Sequence, residues 1–189
     1  IGGGGEIAYW LELKGFFDAV NITFPILLVR NSVLLATQKQ VKKADNLNLT
    51  WKDLFSKSEN LINEITHKLS PFPIDLTPQR EALEKQFAYL FELAEKTDKS
   101  FSGAVKAQEV KQKKGLENLE KRLLKAQKRK LADQLERVTD LQCELFPNQS
   151  LQERQANFSE FYLEKGEQLI PFLIQKLKPL EHNFDIIII

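Results

Sequence analysis

The stretch from Thr77 to Phe146 contains a single proline, Pro78, and only two glycines. Its apolar residues recur every three or four positions, which is the period of a helix with one apolar stripe. Asp98, a residue type that caps helices, marks the only break. The spacing therefore predicts a helix of about 20 residues followed by one of about 45, the longer being roughly 70 Å in length. The apolar positions are Leu83, Phe87, Leu90, Ala94, Leu116, Leu119, Leu123, Leu131, Leu135, Val138 and Leu145.

Together the two helices predict an antiparallel coiled-coil arm, because the steps from Leu83 to Ala94 follow a heptad. The stripe on the longer helix changes phase before Leu131. The longer helix also outreaches the shorter one by about 25 residues, or almost 40 Å at the helical rise. We therefore expect a second copy of the chain to cover the stripe between Lys106 and Gln127, which makes the arm a homodimerisation element.

Short apolar runs lie near both ends of the chain. Ile26–Val29 and Val33–Ala36 predict buried strands, and Asn183–Ile189 predicts a strand that returns to the sheet holding Ile26–Val29. Strands that alternate with helices indicate a parallel α/β sheet within a predominantly helical chain. Further helices are expected from Ile7, over Thr37–Asn46, Trp51–Phe55 and Leu169–Leu177, from Ser56 or Ser58 onward, and from Ser150 through Tyr162. The expected division is 1–50 as part of a core, 51–148 as the helical arm and 149–189 as helices and a strand that return to the core.

Two polar features indicate where a ligand binds. Gly2–Gly5 open directly into a helix whose first turn carries Glu6, and glycines before a helix let free N–H groups approach a phosphate or carboxylate. Arg30, Asn31 and Ser32 follow a predicted strand, where ligands gather in α/β sheets. The alternatives are a flexible turn or cloning remnant for the glycines, and a polar turn between strands for Arg30–Ser32.

Charge and composition limit the remaining function classes. The net charge of +1 gives no overall attraction to nucleic acid or membrane. The single cysteine, Cys143, indicates a reducing compartment, and we expect a cytoplasmic protein because neither a membrane-spanning run nor a signal peptide is visible. His and Cys residues do not occur at metal-ligand spacing, so no metal and no tightly bound cofactor are expected.

The segment Lys106–Lys130 is strongly basic, with ten lysines and arginines against three glutamates. Such an arm can contact the phosphates of nucleic acid. The segment contains no aromatic residue for base stacking, and a solvated coiled-coil face explains the same charges. Nucleic acid is therefore the less favoured partner.

The chain contains no methionine and begins with Ile1 followed by four glycines. We therefore expect it to be a piece of a longer protein.

Several segments in order resemble the cysteine-adding enzymes of bacillithiol biosynthesis. Gly2–Tyr9 and Phe24–Ser32 are similar to the late part of that family's Rossmann core. Leu119–Lys130 is similar to its coiled coil, and Leu145–Asn148 with Leu151–Arg154 to the segment that follows it. Where the family often has a proline in the glycine turn, this chain has glycine at all four positions.

The resemblance implies a partial Rossmann-like parallel sheet joined to a coiled coil that dimerises. It also implies a ligase that joins cysteine to glucosaminyl-malate, with ATP or a related nucleotide as co-substrate. The chain matches only the C-terminal part of the family, so we expect it to be inactive alone. The alternative is that it serves purely as a structural coiled-coil dimerisation module. We predict one wall of the cleft, in which the glycine N–H groups and Arg30 hold a phosphate or carboxylate and Glu6 or Tyr9 positions an amine or hydroxyl. The residues of this wall are Gly3, Gly4, Gly5, Glu6, Tyr9, Arg30, Asn31 and Ser32.

Overall fold

The computed structural model describes every residue from Ile1 to Ile189. The chain forms two compact units, one made of Ile1–Thr50 with Leu141–Ile189 and the other of Trp51–Asp140. Short 3₁₀ turns occur at Pro147–Gln149 and Gly166–Gln168. The helices and strands in chain order are α1 (Gly4–Glu12), α2 (Lys14–Ala19), β1 (Ser32–Ala36), α3 (Gln38–Asn46), α4 (Trp51–Leu54), α5 (Ser58–Leu69), α6 (Thr77–Ala94), α7 (Lys99–Lys130), α8 (Ala132–Leu145), α9 (Gln152–Gln155), α10 (Ser159–Lys165), α11 (Leu169–Lys176) and β2 (Phe184–Ile188).

The first unit is built on a parallel pair of strands. β1 and β2 pair from Ser32 beside Phe184 to Ala36 beside Ile188. Both strands are rich in β-branched or leucine side chains, and Leu34 and Ala36 are fully buried. The predicted strands at Val33–Ala36 and Asn183–Ile189 are therefore confirmed.

The predicted strand at Ile26–Val29 is wrong. Only Val29 forms a bridge, in parallel with Gly2, and Ile26 is 98% exposed. A strand needs a continuous neighbour for its N–H and C=O groups, and here that neighbour is one residue long. Pro25 also lacks an N–H to donate. The C-terminal strand consequently pairs with β1 and not with Ile26–Val29.

Side chains from α9 occupy the other edge of β1. The Gln152 amide accepts a hydrogen bond from Leu35 N–H at 2.9 Å and donates one to the Leu35 carbonyl at 3.0 Å. The Glu153 carboxylate accepts from Val33 N–H at 3.1 Å. Residues two apart in a strand direct these groups to the same side, so the two side chains take the place of a neighbouring strand.

α3 is fastened in the same unit by its capping residue and by an ion pair. The Thr37 hydroxyl accepts from Gln40 N–H, which confirms the helix predicted over Thr37–Asn46. Lys43 Nζ lies 2.6 Å from Glu144 Oε1, and Gln40 donates to Glu144 Oε2 at 3.2 Å. Partial burial acts to raise the pKa of Glu144, but the hydrogen bonds from Lys43 and Gln40 outweigh it and hold that pKa below its ordinary value.

The substitution Glu144→Gln is expected to destabilise the protein at neutral pH. Because the folded-state pKa is depressed, the stabilisation is present above the pKa of the unfolded chain and is lost as pH falls through the folded-state pKa. Both side chains are 40% exposed, so we expect a cost of only about 0.5 kcal/mol. Thermal unfolding of both proteins at about pH 7 and about pH 3 measures it. A deficit that persists unchanged at the acid pH, or an equal deficit in the exposed control Glu164→Gln, would contradict the assignment.

The second unit contains the predicted heptad stripe. Phe87, Ala94 and Val105 form a buried cluster, with Leu83 and Leu90 packed against it. Ion pairs join the two helices beside the cluster, from Arg80 to Glu120 at 3.1 Å and from Lys113 to Glu84 at 2.9 Å. The hydrogen bond from Lys113 to Glu109, followed by that to Glu84, raises the pKa of Lys113. α6 and α7 thus pack through apolar contacts and are flanked by charge pairs.

The predicted helix of about 45 residues is wrong as one continuous element. Asp98 caps its start by accepting from Phe101 N–H at 2.9 Å, as predicted, but α7 ends at Lys130. Leu131 has φ −99° and ψ 13°, and α8 begins one residue later. A straight helix keeps one phase of its apolar stripe, so the phase change before Leu131 is accommodated by a break.

The predicted helix from Ser150 through Tyr162 is also interrupted. α9 ends at Gln155, and Ala156 is extended with φ −82° and ψ 142°. The Asn157 side chain accepts from Ser159 N–H at 2.9 Å, which begins α10 separately. Local side-chain bonding of this kind competes with a continuous helical ladder.

None of the helices is both long and apolar enough to cross a membrane.

Candidate functional site

The amino end of α1 is held beside Arg30 by backbone hydrogen bonds. Gly2 N–H donates to the Leu28 carbonyl at 3.0 Å, and Arg30 N–H donates to the Gly2 carbonyl at 2.9 Å. This single parallel bridge places the glycine run against the segment that ends at Arg30. The structure therefore brings together two of the features that the sequence indicated for ligand binding.

Glu6 acts as a cap within its own helix. Its Oε2 atom accepts a hydrogen bond from Gly3 N–H at 2.7 Å. The N–H groups of Gly4, Gly5 and Glu6 form the first turn, where helical geometry provides no acceptor. These three N–H groups therefore remain the donors that α1 offers to a ligand, and the helix dipole favours a negative one.

Two guanidinium groups converge on Gly3. Arg154 Nη2 lies 3.2 Å, and Arg30 Nη2 3.5 Å, from the position that a Cβ atom on Gly3 would occupy. A side chain at this position would contact both arginines, so glycine keeps the space between them open. The closest carboxylate to Arg154 is that of Glu153, with Nε and Oε1 separated by 3.8 Å.

Two positive charges beside a helix amino end repel each other and attract an anion. Guanidinium groups also match the planar oxygens of carboxylate and phosphate. The arrangement of Gly3, Arg30 and Arg154 can therefore bind one anionic group. We call these three residues the anion site.

The other predicted wall residues lie in different surroundings. Asn31 donates to the Lys178 carbonyl at 3.3 Å, and the Ser32 hydroxyl donates to Glu153 at 3.2 Å. Both residues line a cavity that also includes Arg30. Tyr9 is 62% exposed, and no hydrogen bond joins it to the anion site. The structure thus groups Gly3 with Arg30, places Asn31 and Ser32 beside them, and leaves Tyr9 apart.

Arg154 is the residue that sequence reasoning missed. It lies 124 positions from Arg30 in the chain and belongs to a four-residue helix without a recognisable motif. The neighbouring residues Gln152 and Glu153 bind β1, which fixes where Arg154 projects. The only available signal was that Leu151–Arg154 lies within a segment that resembles the family.

The fold defines the class of protein: a mainly helical chain with a small parallel sheet and a long helical arm. Comparison with known families agrees. Residues 1–31 match the family model for the N-terminal Rossmann-like domain of the bacillithiol biosynthesis protein BshC. Residues 33–189 match the model for its C-terminal coiled-coil domain. The chain belongs to the BshC family.

Curated relatives extend the match over the whole chain. A Flavobacterium johnsoniae protein is 82% identical over 189 residues, which are 100% of this chain and 36% of the relative. A Christiangramia forsetii protein is 60% identical over 187 residues, which are 99% of this chain and 35% of the relative. A Cytophaga hutchinsonii protein is 32% identical over 183 residues, which are 97% of this chain and 35% of the relative. All three are named "Putative cysteine ligase BshC", and this chain spans about a third of their length.

Proposed function

We propose that this chain is the C-terminal part of a ligase that joins cysteine to glucosaminyl-malate in the cytoplasm during bacillithiol biosynthesis. The observation that carries the proposal is the convergence of Arg30 and Arg154 on Gly3 at the amino end of α1. An acid-to-amine ligation uses anionic reactants, and this site places two cations beside the amino end of a helix, where the dipole favours a negative group. The name of the curated relatives, "Putative cysteine ligase BshC", supports a ligation that uses cysteine.

In this proposal the anion site binds and orients one anionic group of a reactant. A carboxylate of the malate group or a phosphate of the co-substrate fits its charge and its planar donors equally well. ATP or a related nucleotide, when bound, supplies the activation of the carboxylate. This chain's contribution is to hold one anionic group in a fixed position relative to the sheet, which lowers the entropic part of the barrier.

The reaction is tested with the purified full-length protein. It is incubated with cysteine, glucosaminyl-malate and ATP, and the condensed product is measured by mass spectrometry. We expect product formation by the full-length protein and none by residues 1–189 alone. A folded full-length protein that forms no product at saturating reactants would contradict the proposal.

We also propose that the coiled coil joins two copies of the protein, with the helices of the arm antiparallel. Phe101 and Leu119 are 44% and 54% exposed, although both are apolar residues of α7. Eighteen residues separate them, which is about five turns, so they lie on the same side of the helix. Val105 lies about 40° around α7 from each of them and is buried in the cluster with α6, so Phe101 and Leu119 form the exposed flank of the same apolar stripe, which a second copy would bury.

The substitution Leu119→Asp is expected to weaken self-association by about tenfold or more. An aspartate in an apolar interface loses the burial of leucine and adds an unpaired charge. Sedimentation equilibrium of the full-length protein at micromolar concentrations measures the change. Val110→Asp is the matched control, because Val110 is 59% exposed on the same helix but lies two and a half turns from Leu119, on the opposite side. A monomeric parent protein, or equal effects of the two variants, would contradict the proposed interface.

A nucleic-acid role for Lys106–Lys130 is the weaker candidate. Lys113, within this segment, is paired with Glu84 and Glu109 at 2.9 and 2.8 Å. Its charge is therefore balanced by glutamates of the same arm. Binding of the full-length protein to duplex or transfer RNA that weakens steeply with salt would favour this role over the one proposed here.

A further inference from the structure

A cavity of about 350 Å³ lies at the amino ends of β1 and β2, and its lining combines the apolar residues Val29 and Phe184 with polar side chains. One side is formed by Arg30, Asn31 and Ser32, and the other by the connection that precedes β2, with Glu181, His182 and Asn183. The hydrogen bond from Asn31 to the Lys178 carbonyl links the two sides. Arg30 belongs both to this cavity and to the anion site.

The lining of this cavity separates into groups that are already paired and groups that are open. Glu181 is paired with Lys178 at 3.0 Å, and Ser32 is bonded to Glu153. His182 and Asn183 are exposed to solvent. The open groups are therefore one cation, Arg30, and an imidazole and an amide, which offer hydrogen-bonding groups to a ligand.

We propose that this cavity holds the hydroxyl-rich part of a ligand whose anionic group lies at the anion site. The inference rests on the proposed function, and it assigns His182 and Asn183 as specificity-determining residues of the same ligand site. Hydroxyl groups donate and accept at once, which an amide and an imidazole can match and a purely cationic surface cannot. The volume lies at the small end of the range of about 300–1,000 Å³ for ligand sites, which suits one sugar-sized ring.

The test compares two probes on the full-length protein by isothermal titration calorimetry: glucosaminyl-malate, which has both parts, and malate, which has only the anionic part. His182→Ala and Asn183→Ala are each expected to weaken glucosaminyl-malate binding about three- to tenfold and to leave malate binding unchanged. Arg30→Gln is expected to weaken both. Asn60→Ala, an exposed asparagine in the other unit, is the matched control and should change neither.

The outcomes separate the two proposals. If unmodified protein binds glucosaminyl-malate but the His182 and Asn183 variants bind it within twofold of the parent value, the cavity assignment is overturned. If the His182 and Asn183 variants weaken malate binding as much as glucosaminyl-malate binding, the assignment is also overturned, because these residues would then act on the anionic group. If the unmodified protein binds no glucosaminyl-malate, the proposed function fails as well. Thermal unfolding of each variant confirms that the fold is retained.

Discussion

Replacing Arg30 by glutamine in the full-length protein is expected to lower kcat/KM for glucosaminyl-malate by about 30- to 100-fold. The substitution keeps the size and polarity of the side chain but removes a positive charge that lies 3.5 Å from the Gly3 Cβ position. A charge-assisted hydrogen bond to a partly desolvated anion contributes about 2–3 kcal/mol, which corresponds to that change in rate. Steady-state kinetics with mass-spectrometric product detection measures it.

Three further variants make this test specific to the anion site. Arg154→Gln should lower kcat/KM by a similar factor. The double variant should lower kcat/KM by less than the product of the two single factors, because we expect the two arginines to contact the same anion. Gly3→Ala should also reduce the rate without removing charge, since its methyl group would meet Arg154 Nη2 at 3.2 Å. Arg137→Gln, an exposed arginine of α8, is the control. Unchanged kinetics for Arg30→Gln and Arg154→Gln would remove both residues from the site.

Replacing Gln152 by alanine is expected to destabilise the first unit by about 2–4 kcal/mol. Gln152 is 7% exposed, and its amide satisfies both the N–H and the C=O of Leu35. Alanine leaves these two buried backbone groups without partners, and each unsatisfied group costs about 1–3 kcal/mol. Hydrogen exchange of the Leu35 amide, followed by mass spectrometry of a peptide covering β1, should become faster, and the thermal midpoint should fall.

Gln155→Ala provides the matched control for this prediction. Gln155 lies on the same short helix, but its hydrogen bond with Asn148 is exposed, so we expect a change within about 0.5 kcal/mol. Faster exchange across the whole chain in Gln152→Ala, without a preference for β1, would show that the effect is not the local loss of strand pairing.

Helix caps, two strands and the apolar stripe of the arm could be predicted from the local sequence. Thr37 and Asp98 cap helices because their side chains reach N–H groups three residues away, a relation contained in the local sequence. The strands at Val33–Ala36 and Asn183–Ile189 follow from apolar, β-branched composition in the same way. The stripe that packs Phe87 and Ala94 follows from helical spacing.

What could not be predicted depends on distant partners. Ile26–Val29 has the composition of a strand, but strand formation also needs a neighbour, which local sequence does not reveal. Two of the three residues of the proposed anion site, Gly3 and Arg30, were among the predicted site residues, because they stand next to recognisable patterns. Arg154 could not be assigned, because its position depends on Gln152 and Glu153 binding a strand more than a hundred residues earlier.

The binding of α9 to β1 also determines the direction in which the sheet can grow. With Gln152 and Glu153 on one side and β2 on the other, β1 has no free edge to offer another strand. Any additional strand that extends this pair must join at the far side of β2. The two edges of the strand pair are therefore not equivalent: side chains of α9 occupy the outer edge of β1, and the outer edge of β2 is the one that can pair with a further strand.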